Sequence, residues 1–506
     1  MVEESKDLYD DGGYQESKAS LPPNYSELFA KEHNRSLDKS ISHSSSAVVM
    51  SVTKLDDSGK PSNVQWKYDE DRESNKVHGH NAHGYGVFVT ALFIIGEMVG
   101  GGIISMPNAL YRQGWAGIAV IVIVSIMSGF TGVQLGHCWT ILQERWPEVY
   151  MKHTQKPYPE IGYRAGGVWC RRLVSLCMNL TLFGTATVFL IIIGNNVTQL
   201  LQHWAHSNIS FCFFILIVAA ILLPATYLGS PADFWWVSFG AAGSTTVAVI
   251  IMIIGMSMDY NKPNRGTITY PPTSIVNFIL GYGTVMFAYS GQSAFPTIQH
   301  DMKQPEHFPK AIVRSYGVIF FYYVPVSILG YVVYGQHLGD ENVENILGLL
   351  PAGWCQDTVT VLITLHVMFG FIIFVNPINQ ELEALVGIPS KFTIKRIILR
   401  TATVIFIVFL AESIPSMTLL LDLVGGTAMA FLTFVFPGAF YLKMRWDTTS
   451  KASEADKPIR KWEYPVTAII ILVGILGAIA SIYAFIYTVV TGNNLFKKPC
   501  YVNLGQ

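Results

Sequence analysis

The sequence predicts an all-α membrane protein of about eleven transmembrane helices, arranged as two inverted five-helix halves whose first members are broken. Three observations carry that expectation. Of the 506 residues, 51% are hydrophobic and only 14% are charged, against roughly 25% charged in an average soluble domain. The apolar residues are gathered into blocks near the length of a bilayer crossing. Two of those blocks are interrupted at the same spacing, a glycine, four residues and a proline: Gly102-Ile-Ile-Ser-Met-Pro107 and Gly291-Gln-Ser-Ala-Phe-Pro296.

In chain order, residues 1–84 are polar and serine-rich and read as a disordered cytoplasmic tail. No short apolar core precedes a small-residue cleavage site, so no signal peptide is expected. The transport domain is expected over 85–492, with spans near 86–110, 114–139, 171–200, 209–229, 233–258, 274–296, 311–334, 355–378, 396–412, 416–442 and 465–491. The ninth is short, and only "SPA" separates the fourth from the fifth. Residues 493–506 read as a short non-cytoplasmic tail.

Basic residues set the orientation. With the N-terminus in the cytoplasm, the loop after the second span holds Arg145, Lys152, Lys156, Arg164, Arg171 and Arg172. The loop after the tenth holds Lys443, Arg445, Lys451, Lys457, Arg460 and Lys461. The opposite side holds only Arg112, Lys262, Arg265, Lys497 and Lys498. Positive charge inside predicts a cytoplasmic N-terminus, and an odd span count puts the C-terminus outside or in a lumen. Cys212, Cys355 and Cys500 then lie on the oxidising side, and one disulfide among them is expected, the pair being open.

Several function classes drop out. A net charge of −1 gives no basic field for nucleic acid. The six cysteines form no CxxC or Cys/His cluster, so no metal site is expected. No nucleophile motif or phosphate loop appears, which argues against an enzyme, a bound cofactor or ATP-driven transport.

The interrupted helices carry the chemistry. Lipid cannot hydrogen-bond a backbone, so a span that unwinds must line an enclosed cavity. Half-helix N-termini then offer N–H groups to a carboxylate, and C-terminal carbonyls suit an ammonium or cation. An amino acid zwitterion carries both charges. Glu97 lies about eleven residues into the first span, near mid-membrane, and an ionisable group there is a functional candidate. It is read as a proton carrier, with His366, midway along the eighth span, as a second titrating candidate. Asp422 reads as a gate or helix-end contact.

Four stretches, in order, resemble the amino acid/auxin permease family, which includes the vesicular inhibitory amino acid, proton-coupled and sodium-coupled neutral amino acid transporters. They are "MVGGGIISMPNAL" from Met98, "PYPEIGYRAGG" from Pro157, "LPATYLGSPADFWWVSFGAAG" from Leu223 and "MFAYSGQSAFPTIQHDMKQPEHFPKAI" from Met286. "LLDLVGGTAMAFLTFVFPGAFYL" from Leu420 adds to them. The resemblance implies a leucine-transporter-like inverted-repeat fold, alternating access and an amino acid site between the broken spans. It implies Gly100, Gly101, Gly102 and Ile103 of the first span, and Tyr289, Ser290, Gly291 and Gln292 of the sixth, as substrate-binding residues. First-span amides are assigned to the substrate carboxylate and sixth-span carbonyls to its ammonium. Sodium-coupled relatives place an Asn just ahead of the glycine-rich break, where this chain has Gly96 or Glu97. A proton gradient is therefore expected in place of a sodium gradient, with neutral amino acids as substrates. The rival expectation is an amino acid sensor with little flux, signalling through its tail.

Within the tail, "LPPNYSEL" (Leu21 to Leu28) combines two short ligands. Pro22, Pro23 and Tyr25 fit a WW-domain ligand, as of a WW-domain ubiquitin ligase. Tyr25 with Leu28 fits a sorting signal read by a clathrin adaptor. These suggest a lysosomal, endosomal or plasma membrane location.

Overall fold

The computed structural model describes residues 50–52, 64–66 and 84–502, except 152–153, 155, 207–208, 228–234, 263–266, 341–342, 389–392, 447–458 and 492–498. Two units are distinguished, Met1–Ser74 and Asn75–Gln506. In the first, β1 (Met50–Val52) and β2 (Val64–Trp66) pair antiparallel with Met50 opposite Trp66. Pro22, Pro23, Tyr25 and Leu28 lie outside the described residues.

The second unit is helical. Its elements are α1 (Val87–Met98), α2 (Gly101–Gln113), α3 (Ala116–Arg145), α4 (Pro157–Ala205), α5 (Phe211–Thr226) and α6 (Trp235–Tyr260). The second half holds α7 (Ile275–Ala288), α8 (Phe295–His300), α9 (Phe308–Tyr334), α10 (Trp354–Val386), α11 (Ile394–Ser413), α12 (Met417–Trp446) and α13 (Glu463–Thr491). Side-chain caps mark three starts: Ser274, Thr393 and Ser416 each accept a backbone N–H three residues on, at the heads of α7, α11 and α12.

Among the described residues, seven helices are long and apolar enough to cross a bilayer, eight counting the bent pair α1/α2 as one span. Each predicted segment falls on a helix or a broken pair, yet three miss that test for visible reasons. α5 is only 16 residues long. α7 stops after 14 residues at a break. α11 carries Lys395, Arg396 and Arg400 near its start. The span count of eleven thus stays an expectation.

α4 is two helices joined at a kink: the longer one follows Gly167, close to the predicted start near 171, and a shorter one precedes it from Pro157, where a proline at the first helical position loses no intrahelical bond. "PYPEIGYRAGG", expected as a loop, is a helical turn that ends in a kink at Gly166 and Gly167. Gly167 has φ +75°, open to glycine and strained for other residues. Arg171 pairs with Glu160 across the kink, and the Tyr158 hydroxyl donates to the Leu432 carbonyl (2.5 Å). The proximal end is thereby tied to α12.

The interior is held by close backbone crossings and buried charge. A methyl group on Gly425 would overlap the Gly283 carbonyl oxygen, so α7 and α12 cross backbone to backbone. At that crossing α12 widens into π-helical turns at Gly425–Met429 and Phe431–Val435. Elsewhere, Glu383 of α10 accepts from the Nε atoms of Arg396 (2.9 Å) and Arg400 (2.6 Å) of α11. Arg400 Nη1 also donates to the Thr226 carbonyl (2.6 Å) at the end of α5, a cation against a helix C-terminus. On the outside, Ile469, Leu472, Leu476, Ile479, Ile482 and Ile486 of α13 are exposed, a stripe suited to lipid contact.

A disulfide joins Cys212 to Cys500, settling the choice the sequence left open. Cys355 is a buried free thiol. Asn196, in an outward-facing glycosylation motif by sequence, is fully buried in α4 and donates its amide to Thr364 Oγ1 (2.9 Å), so it is closed to a glycan.

Candidate functional site

The first break is sharp. α1 ends at Met98, α2 starts at Gly101, and the two are bent by 57°. Three glycines there meet three different neighbours. A methyl group on Gly100 would sit 2.5 Å from Nε2 of His366 in α10. On Gly101 it would sit 2.7 Å from Cδ1 of Ile192 in α4, and on Gly102 2.8 Å from Cα of Ala288 in α7. The glycines are needed because the break is packed on all three sides.

The second break is longer. α7 ends at Ala288, a 3₁₀ turn spans Gly291–Ser293, and α8 starts at Phe295. The breaks touch reciprocally, since a methyl group on Gly291 would sit 2.5 Å from Cγ of Met98. The matched Gly-to-Pro spacing does not map onto matched geometry. Pro107 lies inside α2, well past its break, where it packs against Gly330 of α9. Pro296 sits at the start of α8, where a missing N–H costs nothing.

Of the predicted site residues, Glu97, Gly100, Gly101, Gly102, Ser290 and Gly291 line one cavity between the breaks. Ile103, Tyr289 and Gln292 are not on its wall. Ile103 is fully buried. Tyr289 packs its ring against Tyr316 and Tyr323 of α9, with centroids 6.4 and 5.0 Å away. Gln292 turns toward α3, donating to the Ser128 carbonyl (2.8 Å) and Thr131 Oγ1 (3.0 Å). His366 lines an adjacent cavity that it shares with Glu97. Its Nδ1 lies 2.9 Å from Thr245 Oγ1 and 3.2 Å from the Ala241 carbonyl. A nitrogen facing a carbonyl carries the proton, which leaves Nε2 facing Gly100 as the acceptor side.

Sequence reasoning missed the rest of the wall. Thr181, Thr185 and Phe189 come from one face of α4, and Phe374 and Met429 from α10 and α12. The Thr181 and Thr185 hydroxyls are buried with no hydrogen-bond partner among the described residues, unlike Thr187, which bonds back to the Phe183 carbonyl (2.8 Å). The signal was present in "TLFGTATVF" as hydroxyls four residues apart in an apolar helix. No Lys or Arg lines the cavity. Its volume is about 30 Å³, room for about two waters and too little for an amino acid.

Ties between elements lie beyond the cavity in both directions along the broken first span. Arg112 lies ~15 Å along α2 from Gly102 at 1.5 Å per residue. There it pairs with Asp422 of α12, which also accepts from Thr284 of α7, and both charged side chains are buried. Asp422 therefore holds three helices together, a stronger role than a helix-end contact. At the opposite end the chain before α1 is clamped to the segment after α8. Tyr85 N–H donates to the Asp301 carbonyl and Lys303 N–H to the Tyr85 carbonyl, both at 2.9 Å.

Residues 83–487 match the family described as transmembrane amino acid transporter protein. The chain belongs to that family. This is the amino acid/auxin permease family that the motifs resemble, and transport of amino acids by a multi-pass membrane protein follows from the membership. Among its relatives, amino acid transporter AVT1J of Arabidopsis thaliana is 27% identical over 384 residues, covering 74% of this chain and 86% of the relative. Amino acid transporter AVT1B of the same plant is 24% identical over 359 residues, covering 69% of this chain and 63% of the relative, just under two thirds of its length. The solved structure of MhsT in complex with L-phenylalanine superposes with a TM-score of 0.55 at 12% identity, covering 80% of this chain and 99% of that one. At that identity the likeness carries the fold alone, which is leucine-transporter-like.

Proposed function

We propose that this family member is a secondary active carrier of neutral amino acids that works by alternating access and is driven by a proton gradient. The observation that carries the reading is one cavity walled by both breaks and by Glu97, with no basic side chain on it. The head of α2 offers N–H groups to a carboxylate, and the tail of α7 offers carbonyls to an ammonium. Phe189, Phe287, Phe374 and Met429 leave an apolar remainder for a neutral side chain. The Arg112–Asp422 pair in one direction and the backbone ties of Tyr85 to Asp301 and Lys303 in the other are contacts that alternating access would break in turn. Glu97 touches both cavities and has no hydrogen bond or ion pair among the described residues, so it is free to exchange a proton as access alternates.

The test is uptake of labelled amino acids into proteoliposomes under an imposed pH or sodium gradient, comparing wild type with Glu97→Gln. Accumulation driven by the pH gradient and lost in Glu97→Gln supports the proposal. Sodium-driven uptake that survives the substitution overturns the proton assignment. Binding without flux moves the protein to the sensor reading, with Pro22 to Leu28 of the tail as the ligand for a WW-domain ligase or clathrin adaptor.

A further inference from the structure

α1 and α7 run into the site from opposite sides and both end there, so two helix C-termini point at one place. Each carries roughly half a negative charge on its last carbonyls. Two such ends repel and need a positive or donating group between them. In this protein that group is one phenol. The Tyr323 hydroxyl of α9 donates to the Met98 carbonyl (2.8 Å) and to the Ala288 carbonyl (3.0 Å), the last residues of α1 and α7. Its side chain is fully buried, and its ring is held edge-on by Tyr289. Its own carbonyl accepts from Ser327 Oγ (2.6 Å), which fixes that turn of α9. Gly102 lies beside the junction, where a methyl group would clash with Ala288 (2.8 Å) and only touch the hydroxyl (3.5 Å).

We propose that the Tyr323 hydroxyl is a built-in substitute for a bound cation, joining the carbonyl ends of both broken helices so that this junction closes without a metal ion. Paired carbonyls at helix ends are the donor set that suits a small hard cation. A phenol proton fills the same electrostatic need from within the chain and cannot leave. It has one proton for two carbonyls, so the junction is shared, and α9 couples any movement of α1 to α7. The inference rests on the carrier reading for its consequence in transport, but the junction itself is independent of that reading.

The experiment compares wild type, Tyr323→Phe and Tyr323→Ser, each purified in detergent and reconstituted, in sodium chloride and in choline chloride of equal ionic strength. Wild type is expected to unfold at the same temperature in both salts. Tyr323→Phe keeps the ring and loses the proton, so its unfolding temperature falls in both salts alike. Its uptake is expected to drop roughly 5- to 150-fold, the span set by leaving one buried acceptor unsatisfied. Tyr323→Ser opens the space, and its unfolding temperature is expected to rise in sodium relative to choline. A folded Tyr323→Phe with wild-type uptake and unfolding temperature overturns the proposal, as does a folded Tyr323→Ser blind to sodium. If wild type moves no amino acid, the carrier reading fails while the sodium response of Tyr323→Ser still decides the junction.

Discussion

The two helix breaks differ in how they are held, although the inverted repeat relates them. The first spans two residues between α1 and α2 and is held mainly by contact, its glycines pressed against His366, Ile192 and Ala288. The second spans Tyr289 to Ala294 and is held by hydrogen bonds. Ser128 Oγ donates to the Tyr289 carbonyl (2.8 Å), Ser290 Oγ to the Phe287 carbonyl (2.8 Å), and the Gln292 amide to Ser128 and Thr131. α3 therefore anchors the second break from outside, whereas the ties on the first come from α2 itself and from α9: Ser105 Oγ to the Gly101 carbonyl (3.3 Å) and the Tyr323 hydroxyl to the Met98 carbonyl (2.8 Å). A packed joint can pivot if its neighbours move together, whereas a bonded one must break bonds. On that contrast the first break is expected to be the one that moves.

Substitutions sharpen that contrast. The largest effect is expected at Gly102→Val, whose Cβ meets the backbone of Ala288 with nowhere to yield. Overpacking of this kind costs roughly 1–3 kcal/mol, and uptake should fall toward the upper end, ~100-fold, with the protein still monodisperse. Uptake near wild type would remove the pivot from the first break. Next comes Arg112→Ala, which leaves Asp422 buried without its cation. Losing one partner of a buried pair costs about 3–5 kcal/mol before relaxation, part of which water entering from that end recovers. The measurement is thermal unfolding, with Arg112→Ala/Asp422→Leu expected to regain part of the loss. Gln292→Ala should lower stability by about 1–3 kcal/mol while changing substrate affinity little, since the side chain faces α3 and not the cavity. A large KM change without a stability change would put Gln292 back at the substrate. The smallest effect is expected at Gly291→Ala, whose new methyl group overlaps the flexible Met98 side chain and otherwise just touches the Phe295 ring (3.4 Å). Uptake should fall by about three-fold and recover in Gly291→Ala/Met98→Ala.

Much of this was legible before any coordinates. Apolar blocks located the helices, and glycines in a membrane segment located both breaks. Five of the eight predicted break residues, Gly100, Gly101, Gly102, Ser290 and Gly291, line the cavity, as expected if unwound backbone faces an enclosed space. Gln292, Tyr289 and Ile103 were misread because sequence proximity to a break says nothing about which way a side chain leaves it. The Gly-to-Pro spacing misled for a related cause: proline at a helix start and proline inside a helix look alike in a string of letters. Thr181 and Thr185 left a trace in the sequence, hydroxyls four residues apart in an apolar helix, but nothing local tied them or Tyr323 to the breaks, because α4 and α9 reach the breaks only through tertiary packing. Asp422 was seen, but its partner Arg112 lies 310 residues away in the chain, and no local pattern pairs them.

The disulfide has a consequence for how the chain is made. Cys212 and Cys500 are separated by 288 residues, so the bond closes only after nearly the whole polypeptide has been synthesised. At roughly 5–20 residues per second that wait is about 15–60 s. Cys355, the free cysteine between the two in sequence, is made before Cys500. Burial of Cys355 against the Ile251 carbonyl withdraws that competitor once α10 has docked on α6. The bond therefore links a cysteine made early to one made near the end, and Cys355, the intervening competitor, is buried in the folded chain.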